Sequence, residues 1–361
     1  MNECEVKIGK IRNLLVQLNI DGVLLSKNDN FSWITCGGRG WVGKDTESSV
    51  ASVLVTKDRV FLISNNIEIE RLLREEVKKD IFEPVFYKWY EPQSSALERI
   101  IVGMKIASDI YMTGFKNIEK YIKPLRMVLT RWEIERAKKN GEEMERLLED
   151  VVSSAKADMT EYELAASVEK AFTEKGFELP VLLVFSDESR NLYRHNLPRN
   201  KKLGRFFFVS VCARKGGIVL SMTRSAAFIE DKNILLQHKK NARIDAKIFT
   251  RTTEGKLLKE MFYIIRNIYK EEGALEEFEK HHQGGIGGYN SREEKAMPDS
   301  NTVLKKNMLI EWNPTITGTK SEDSFILGEK KYITFTKNSA WPSLTFNIDG
   351  IEVKRPAVKI L

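Results

Sequence analysis

Apolar positions recur at helical spacing near the start of the chain, at Ile8, Ile11, Leu14, Leu15 and Leu18, and predict an amphipathic helix over residues 6–19. The run DGVLLS after it is short and apolar enough for a buried strand. SSVASVLVTKDRVFLIS alternates and breaks at Lys57-Asp58, the pattern of a β-hairpin. IEIERLLREEVKK returns to a helical period with Glu, Lys and Arg on its open face. IFEPVFYKWY reads as a strand at a sheet edge, because its proline has no N–H to give a central ladder. SSALERIIVGM reads as a helix with a serine cap and KIASDI as another strand. These elements make an α/β domain over residues 1–124.

From Leu125 the pattern changes. TRWEIERAKKNGEEMERLLEDVVSSA predicts a long amphipathic helix opened by Thr130 and Glu133 at capping-box spacing. MTEYELAASVEKAFTEKGF predicts a second, with Thr160 and Glu163 as its box and Gly176 at its end. VLLVFS, RFFFVSVCAR and IVLSMTRSAAFI predict strands, and a third helix is expected over residues 251–272. NMLIEWNPTIT, DSFILG and KYITFT predict the closing strands. Helix pairs on a curved antiparallel sheet over residues 125–361, behind the α/β domain, give an α+β fold class.

Composition narrows the function classes. Hydrophobic residues make up 42% and charged residues 30%, values of a soluble globular chain. The net charge of +7 is spread out. Lysines occur as short pairs (Lys201-Lys202, Lys239-Lys240, Lys305-Lys306, Lys330-Lys331), not as a basic stripe with interleaved aromatics, so no nucleic-acid partner is expected. Cys4, Cys36 and Cys212 lie far apart and form no CxxC, which predicts neither a zinc ribbon nor a disulfide framework and fits a reducing cytoplasm. The charged N-terminal stretch does not read as a signal peptide. No run approaches the roughly 18 apolar residues of a membrane span, so no membrane partner is expected.

The candidate chemistry starts at HHQGGIGGYNSREE, which holds two of the four histidines. No ribose-binding carboxylate follows a GxGxxG and no GKS or GKT occurs, so dinucleotide and P-loop readings fail. His281, His282, Gln283, Tyr289, Arg292 and Glu293 surround one glycine loop. Asp187, Arg190, Arg194 and His195 form a second polar cluster, and Ser210, Arg214, Ser221, Thr223 and Arg224 a third. Glu311, Asn313, Lys320, Glu322 and Asp323 form a fourth. Each alone fits a surface ion pair or a turn. Charge entering a sheet core is costly unless paired, so a fold that gathers these clusters builds a site.

Over nearly its whole length the chain resembles the prolidase, aminopeptidase P and creatinase family. SKNDNFSWITCGG and VLVTKDRVFLISNNIEIERL resemble the creatinase-type N-terminal domain. LTRWEIERAKKNGEEMERLLEDVV and ADMTEYELAASVEKAFTEKGF resemble the opening helices of the catalytic domain. RHNLPRNKKLGRFFFVSVCARKGGIVLSMTR resembles a histidine followed by two metal-aspartate strands. HHQGGIGGYNSREE resembles the HxxGHGIGxxxHE loop, and NMLIEWNPTITGTKSEDSFIL the glutamate-proline turn and R-x-E-D strand. The resemblance implies a pita-bread fold in the second domain and a homodimer, with Phe31, Trp33 and Arg39 lining the partner's site.

Metallopeptidases of this family hold two divalent metals with two Asp, one His and two Glu. Here those positions fall on Ser210, Ser221, Gly285, Asn313 and Glu322, so only Glu322 survives, with Glu311 two residues from Asn313 on the same strand face. No dinuclear metal site and no cofactor are therefore expected. His195 falls on the histidine that contacts substrate and that creatinase, which works without metal, uses as acid/base. Glu322 falls on a substrate-holding glutamate of creatinase. Thr223 and Gly285 depart from creatinase, and Arg292 replaces the histidine of the HE pair.

The reading is a metal-independent hydrolase acting on a C–N bond of a small molecule or short peptide. His195 is its acid/base and Glu322 orients the substrate. Arg194, Arg292 and Lys320 bind a carboxylate, and His281, His282, Gln283, Tyr289, Glu293 and Asn313 complete the pocket. The alternatives are an Xaa-Pro dipeptidase or aminopeptidase with an altered metal site, and a non-catalytic binding module on the same scaffold.

Overall fold

A computed structural model describes residues 1–328, 332–335 and 340–361. The pair Lys330-Lys331 and both ends of KYITFT lie outside the described residues. The chain divides into two compact units, Met1–Trp132 with Gly216–Ile218, and Glu133–Lys215 with Val219–Leu361.

In the first unit the opening helix runs Glu3–Leu18. It starts earlier than the apolar period suggested because Asn2 caps it: its side chain accepts from the Glu5 N–H at 3.1 Å, and Glu5 Oε2 accepts from the Asn2 N–H at 2.7 Å. Strands β1 (Gly22–Lys27), β2 (Ser48–Thr56), β3 (Val60–Asn65), β4 (Glu83–Tyr87), β5 (Ile106–Ser108) and β6 (Lys116–Asn117) form one sheet in the order β4-β3-β2-β1-β5-β6. Pro84 sits on its edge strand, as expected. Leu24, Leu54, Phe61, Ile63, Ala96, Leu97 and Ile106 pack one of its cores.

The first unit departs from the sequence pattern at four points. Only Ile69–Glu76 of IEIERLLREEVKK winds, its last turn is a widened π turn, and Val77 is already extended. SSALERIIVGM gives a single turn, Ser94–Leu97, preceded by Gln93 without a side-chain cap; the Ser95 hydroxyl instead donates to Pro92 O at 2.8 Å. Phe31 and Trp33 are fully buried within this unit and are not available to line a partner's pocket, while exposed Arg39 pairs with Glu76 at 3.0 Å. Cys4 and Cys36, distant in sequence, bring their sulfurs to 2.8 Å of each other as free thiols.

The second unit carries the long helix Arg131–Ser153 from Glu133 onward, and the helix Glu161–Glu174 with the Thr160/Glu163 box in place. Its sheet runs β11 (Glu294–Lys295), β10 (Gly284–Ile286), β12 (Leu309–Trp312), β15 (Asp323–Ile326), β9 (Ile218–Ala227), β8 (Phe206–Lys215), β7 (Glu178–Phe185), with a small ladder β13 (Thr315–Ile316) and β14 (Thr319–Lys320) beside it. The third helix starts at Leu258, not near 251, and ends at Glu271. A helix at Lys232–Arg251 was not anticipated. Its buried stripe includes His238, Asn241 and Asp245, which breaks the apolar period that marks a helix in sequence. The C-terminal hairpin Ser343–Ile348 and Ile351–Pro356 was also not anticipated. Among the described residues no helix is long and apolar enough to cross a membrane.

Candidate functional site

Strand alternation decides which side chains share a face. Ser210 and Cys212 project together from β8, Ser221 and Thr223 from β9, and Glu322 and Ser324 from the end of β15, where Asp323 pairs with Met222. Glu311 comes from β12, opposite Ser324. Glycines make room for it. A Cβ at Gly285 would lie 2.0 Å from Glu294 O, so the position that the resemblance gives to a metal-binding histidine holds no side chain without moving β11. A Cβ at Gly287 would stand 2.5 Å from the Glu311 carboxyl carbon.

The result is a buried charge network. Arg292 donates through one terminal nitrogen to Glu311 and to Ser221 Oγ (3.0 Å), and through the other to Glu322 Oε1 (3.0 Å). Lys320 Nζ lies 3.0 Å from Glu322 Oε2 and 2.9 Å from Ser210 Oγ. The Ser210 and Thr223 hydroxyls each lie 2.9 Å from Glu322 Oε2. Ser324 Oγ donates to Glu311 Oε1 at 2.9 Å and accepts from the Ser221 N–H at 2.7 Å. Glu311 is completely buried and Glu322 nearly so. Burial raises the Glu322 carboxyl, but Lys320 and Arg292 outweigh it and hold it down at about 2. Burial wins at Glu311 and pushes it up to about 7 against Arg292.

A second cluster is histidine. His281 Nε2 lies 3.1 Å from His195 Nε2, and the His281 and His282 rings stack with centroids 4.5 Å apart. His195 is exposed, His282 half-buried and His281 buried. Burial, then the Lys320 cation, hold His281 down at about 2. Burial, then Arg292 and Lys295, hold His282 at about 4, and burial and Lys320 also lower His195. Ligand nitrogens of the three imidazoles lie within 4.8 Å of one another, a spacing open to one metal ion. Without an ion, these nitrogens make hydrogen bonds. The Gly284 N–H donates to His282 Nδ1 at 3.3 Å, which assigns the proton to Nε2, and the 3.1 Å contact occupies a nitrogen of each of His195 and His281.

The remaining predicted residues point elsewhere. Arg194 is clamped between Glu277 and Thr317 Oγ1. Gln283 Oε1 accepts from the Tyr269 hydroxyl at 2.7 Å. Tyr289 donates from its hydroxyl to Glu133 at 2.6 Å, and its N–H to Glu293 at 3.0 Å. Asn313 donates its N–H to Gln283 O at 3.2 Å and leaves its buried Oδ1 without a partner. Thus Ser210, Ser221, Arg292, Lys320 and Glu322 come together with Glu311, and His195 with His281 and His282. Sequence reasoning missed Cys212, 3.3 Å from Ser221 Oγ, and Ser324. Both lie two residues from a residue already singled out, so the strand period would have found them.

The shifts fix a pH dependence. An unfolded histidine protonates near pH 6.5, so the neutral His281 and His282 contribute stability that is full above pH 6.5 and is lost as pH falls toward about 4 and about 2. The Glu322 contribution is present above pH 4.5 and is lost toward about 2. Glu311 acts in reverse, costing stability as pH rises from 4.5 to about 7. In urea titrations at a series of pH values, His281→Asn should lose less stability than wild type between pH 6.5 and 4.5. Equal losses would remove His281 as the buried neutral group.

Comparison with known proteins bears on the family and the fold. A family model for metallopeptidase family M24 matches residues 103–336. The chain is 25% identical to a curated Xaa-Pro dipeptidase of Pyrococcus horikoshii, over 93% of this chain and 97% of the relative. The crystal structure of the prolidase from Pyrococcus horikoshii OT3 superposes with a TM-score of 0.76 at 20% identity, covering 92% of this chain and 98% of that one. The N-terminal domain of FACT complex subunit SPT16 from Cicer arietinum (chickpea) superposes with a TM-score of 0.68 at 11% identity, over 93% and 96%. The second unit therefore has the expected pita-bread fold.

Proposed function

Because the chain belongs to metallopeptidase family M24, we propose that it is a hydrolase of a C–N bond in a short peptide or small molecule, with His195 in place of a dinuclear metal centre as the proton-transfer group. The observation that carries this reading is the histidine cluster: an exposed imidazole with a lowered pKa, held at 3.1 Å by a buried neutral one. A neutral His195 is a base at physiological pH. It takes a proton from water as the water oxygen bonds to the substrate carbon. It then returns that proton to the nitrogen as the C–N bond breaks. His281 fixes the ring that moves the proton.

The donor set does not suit two metal ions. Ser210 and Ser221 offer neutral hydroxyls, Gly285 has no room for a side chain, and both remaining carboxylates already face Arg292 or Lys320. The Xaa-Pro dipeptidase relative makes Xaa–Pro dipeptides the first substrates to assay, with small guanidino and ureido compounds beside them. Turnover should survive EDTA and gain nothing from Mn2+. Turnover that EDTA abolishes and Mn2+ restores overturns the reading. One observation favours a second reading, a binding module without catalysis: Glu311 and Glu322 have their oxygens engaged inside the network. Calorimetric binding of a dipeptide without any turnover would establish it.

A further inference from the structure

The metal-ligand positions of the resemblance are occupied in a particular way. Glu322 is shared between two cations, Oε1 facing Arg292 at 3.0 Å and Oε2 facing Lys320 at 3.0 Å. Each cation then reaches one serine at an aspartate position, Lys320 to Ser210 at 2.9 Å and Arg292 to Ser221 at 3.0 Å. Arg292 also holds Glu311. Two positive heads bridged by one carboxylate, each touching a former ligand position, reproduce the connectivity of a cation pair.

We infer that Arg292, next to the cation that Lys320 keeps at the arginine position of the R-x-E-D pattern, acts as the built-in counter-charge where the family has divalent ions, so that this buried site closes without metal. Charge balance supports this. Two divalent ions offset the four carboxylates of the metallopeptidase set. Here three of those four positions are neutral (Ser210, Ser221 and Asn313) and Glu322 keeps its charge, while Glu311, two residues from Asn313, adds a second carboxylate, and the two monovalent side chains offset this pair. Exchanging Asp for Ser at both positions is what two monovalent charges require, because an unpaired buried carboxylate is strongly unfavourable. Lys320 falls on the arginine of the R-x-E-D pattern, so Arg292 is the added cation. The planar guanidinium fork suits this position, since its two terminal nitrogens serve two different carboxylates, which one ammonium there would not span. Gly287 leaves the space that the Glu311 carboxylate needs to meet it.

The inference rests on the metal-free part of the proposed function, and it predicts a site that refuses metal until its own cations are removed. In Arg292→Ala/Lys320→Ala, the side chains of Ser210, Ser221, Thr223, Glu311 and Glu322 would surround a vacancy with hard oxygen donors, the kind that Mn2+ takes. The test uses the full chain, with Mn2+ binding followed by electron paramagnetic resonance and Tm by scanning calorimetry. Wild type should bind no Mn2+ tightly, and its Tm should be the same in EDTA and in Mn2+. The double variant should melt lower than wild type in EDTA and regain on the order of 5–10 °C at Mn2+ a hundredfold above its Kd. Two tight Mn2+ ions on wild type, or a folded double variant whose Tm ignores Mn2+, overturn the inference.

If the double variant does not fold, a charge cycle decides. Arg292→Gln should lower the Tm, and adding Glu311→Gln should restore most of the loss by removing the orphaned carboxylate. A pair that melts as low as the single variant overturns the inference. Chelator-sensitive turnover with an unchanged wild-type Tm would sink the proposed hydrolytic mechanism and leave the counter-charge standing.

Discussion

Arg224→Ala should destabilise the second unit by about 3–5 kcal/mol, a fall in Tm of roughly 6–20 °C. Arg224 has no exposed surface. Alternation along β9 sends it to the face opposite Ser221 and Thr223, where its guanidinium binds Glu145 of the long helix, Asp323 at 2.9 Å and Thr223 O at 2.7 Å. Asp323 adjoins Glu322, so this pairing anchors the strand end that carries the site. Truncation takes this cation away from the buried Glu145 and Asp323, and burial already raises the Asp323 carboxyl to about 6 in the intact protein. In the variant the Asp323 carboxyl should bind its proton more tightly in the folded than in the unfolded state. The deficit should therefore deepen as pH rises from its unfolded value through its raised folded one, and be smaller at pH 5 than at pH 8. Urea denaturation at the two pH values reads this directly. A pH-independent deficit would mean that lost packing, not orphaned charge, is responsible. Replacing Arg224, Glu145 and Asp323 together with Met, Leu and Leu should recover most of the loss.

What was legible in the sequence followed from short-range rules. The Thr160/Glu163 box, the hairpin turning at Lys57-Asp58 and the long strands β8 and β9 each carry a local signal, and the structure has them. The helix at Lys232–Arg251 carried a weaker one, because its inward face binds polar partners. His238 donates from Nε2 to Pro356 O (2.9 Å), Asn241 donates to Pro314 O (3.0 Å) and Asp245 accepts from Ser321 (2.6 Å). A core face built on hydrogen bonds to distant segments has no apolar period to read. The site divides in the same way. Which residues depart from the metallopeptidase pattern was visible at each position. That the departures compensate one another was not, because Arg292, Glu311 and the neighbours Lys320 and Glu322 come from three stretches of chain that the sheet order brings together. The same holds for His195 and His281, 86 residues apart and within hydrogen-bonding distance.

His195→Ala should lower kcat/KM by about 10²–10⁴-fold, the usual contribution of a positioned acid/base, on whichever substrate the dipeptide and guanidino panel identifies. The same change should leave stability within about 0.5 kcal/mol, because His195 is exposed and its ring meets another imidazole rather than a core partner. A large rate effect without a stability effect distinguishes a proton-transfer group from a structural one. His281→Asn should give a different signature, a smaller rate loss together with the altered acid stability, since His281 acts through the ring it holds. The acid limb of the wild-type rate profile should lie below pH 6.5, because burial and the Lys320 charge both keep His195 neutral to lower pH. Lys295, exposed at the sheet edge, adds to that field. Lys295→Met should therefore move the acid limb upward while leaving the plateau rate unchanged. A limb that stays in place would detach the rate from His195, and turnover of His195→Ala at the wild-type rate would remove it from the mechanism altogether.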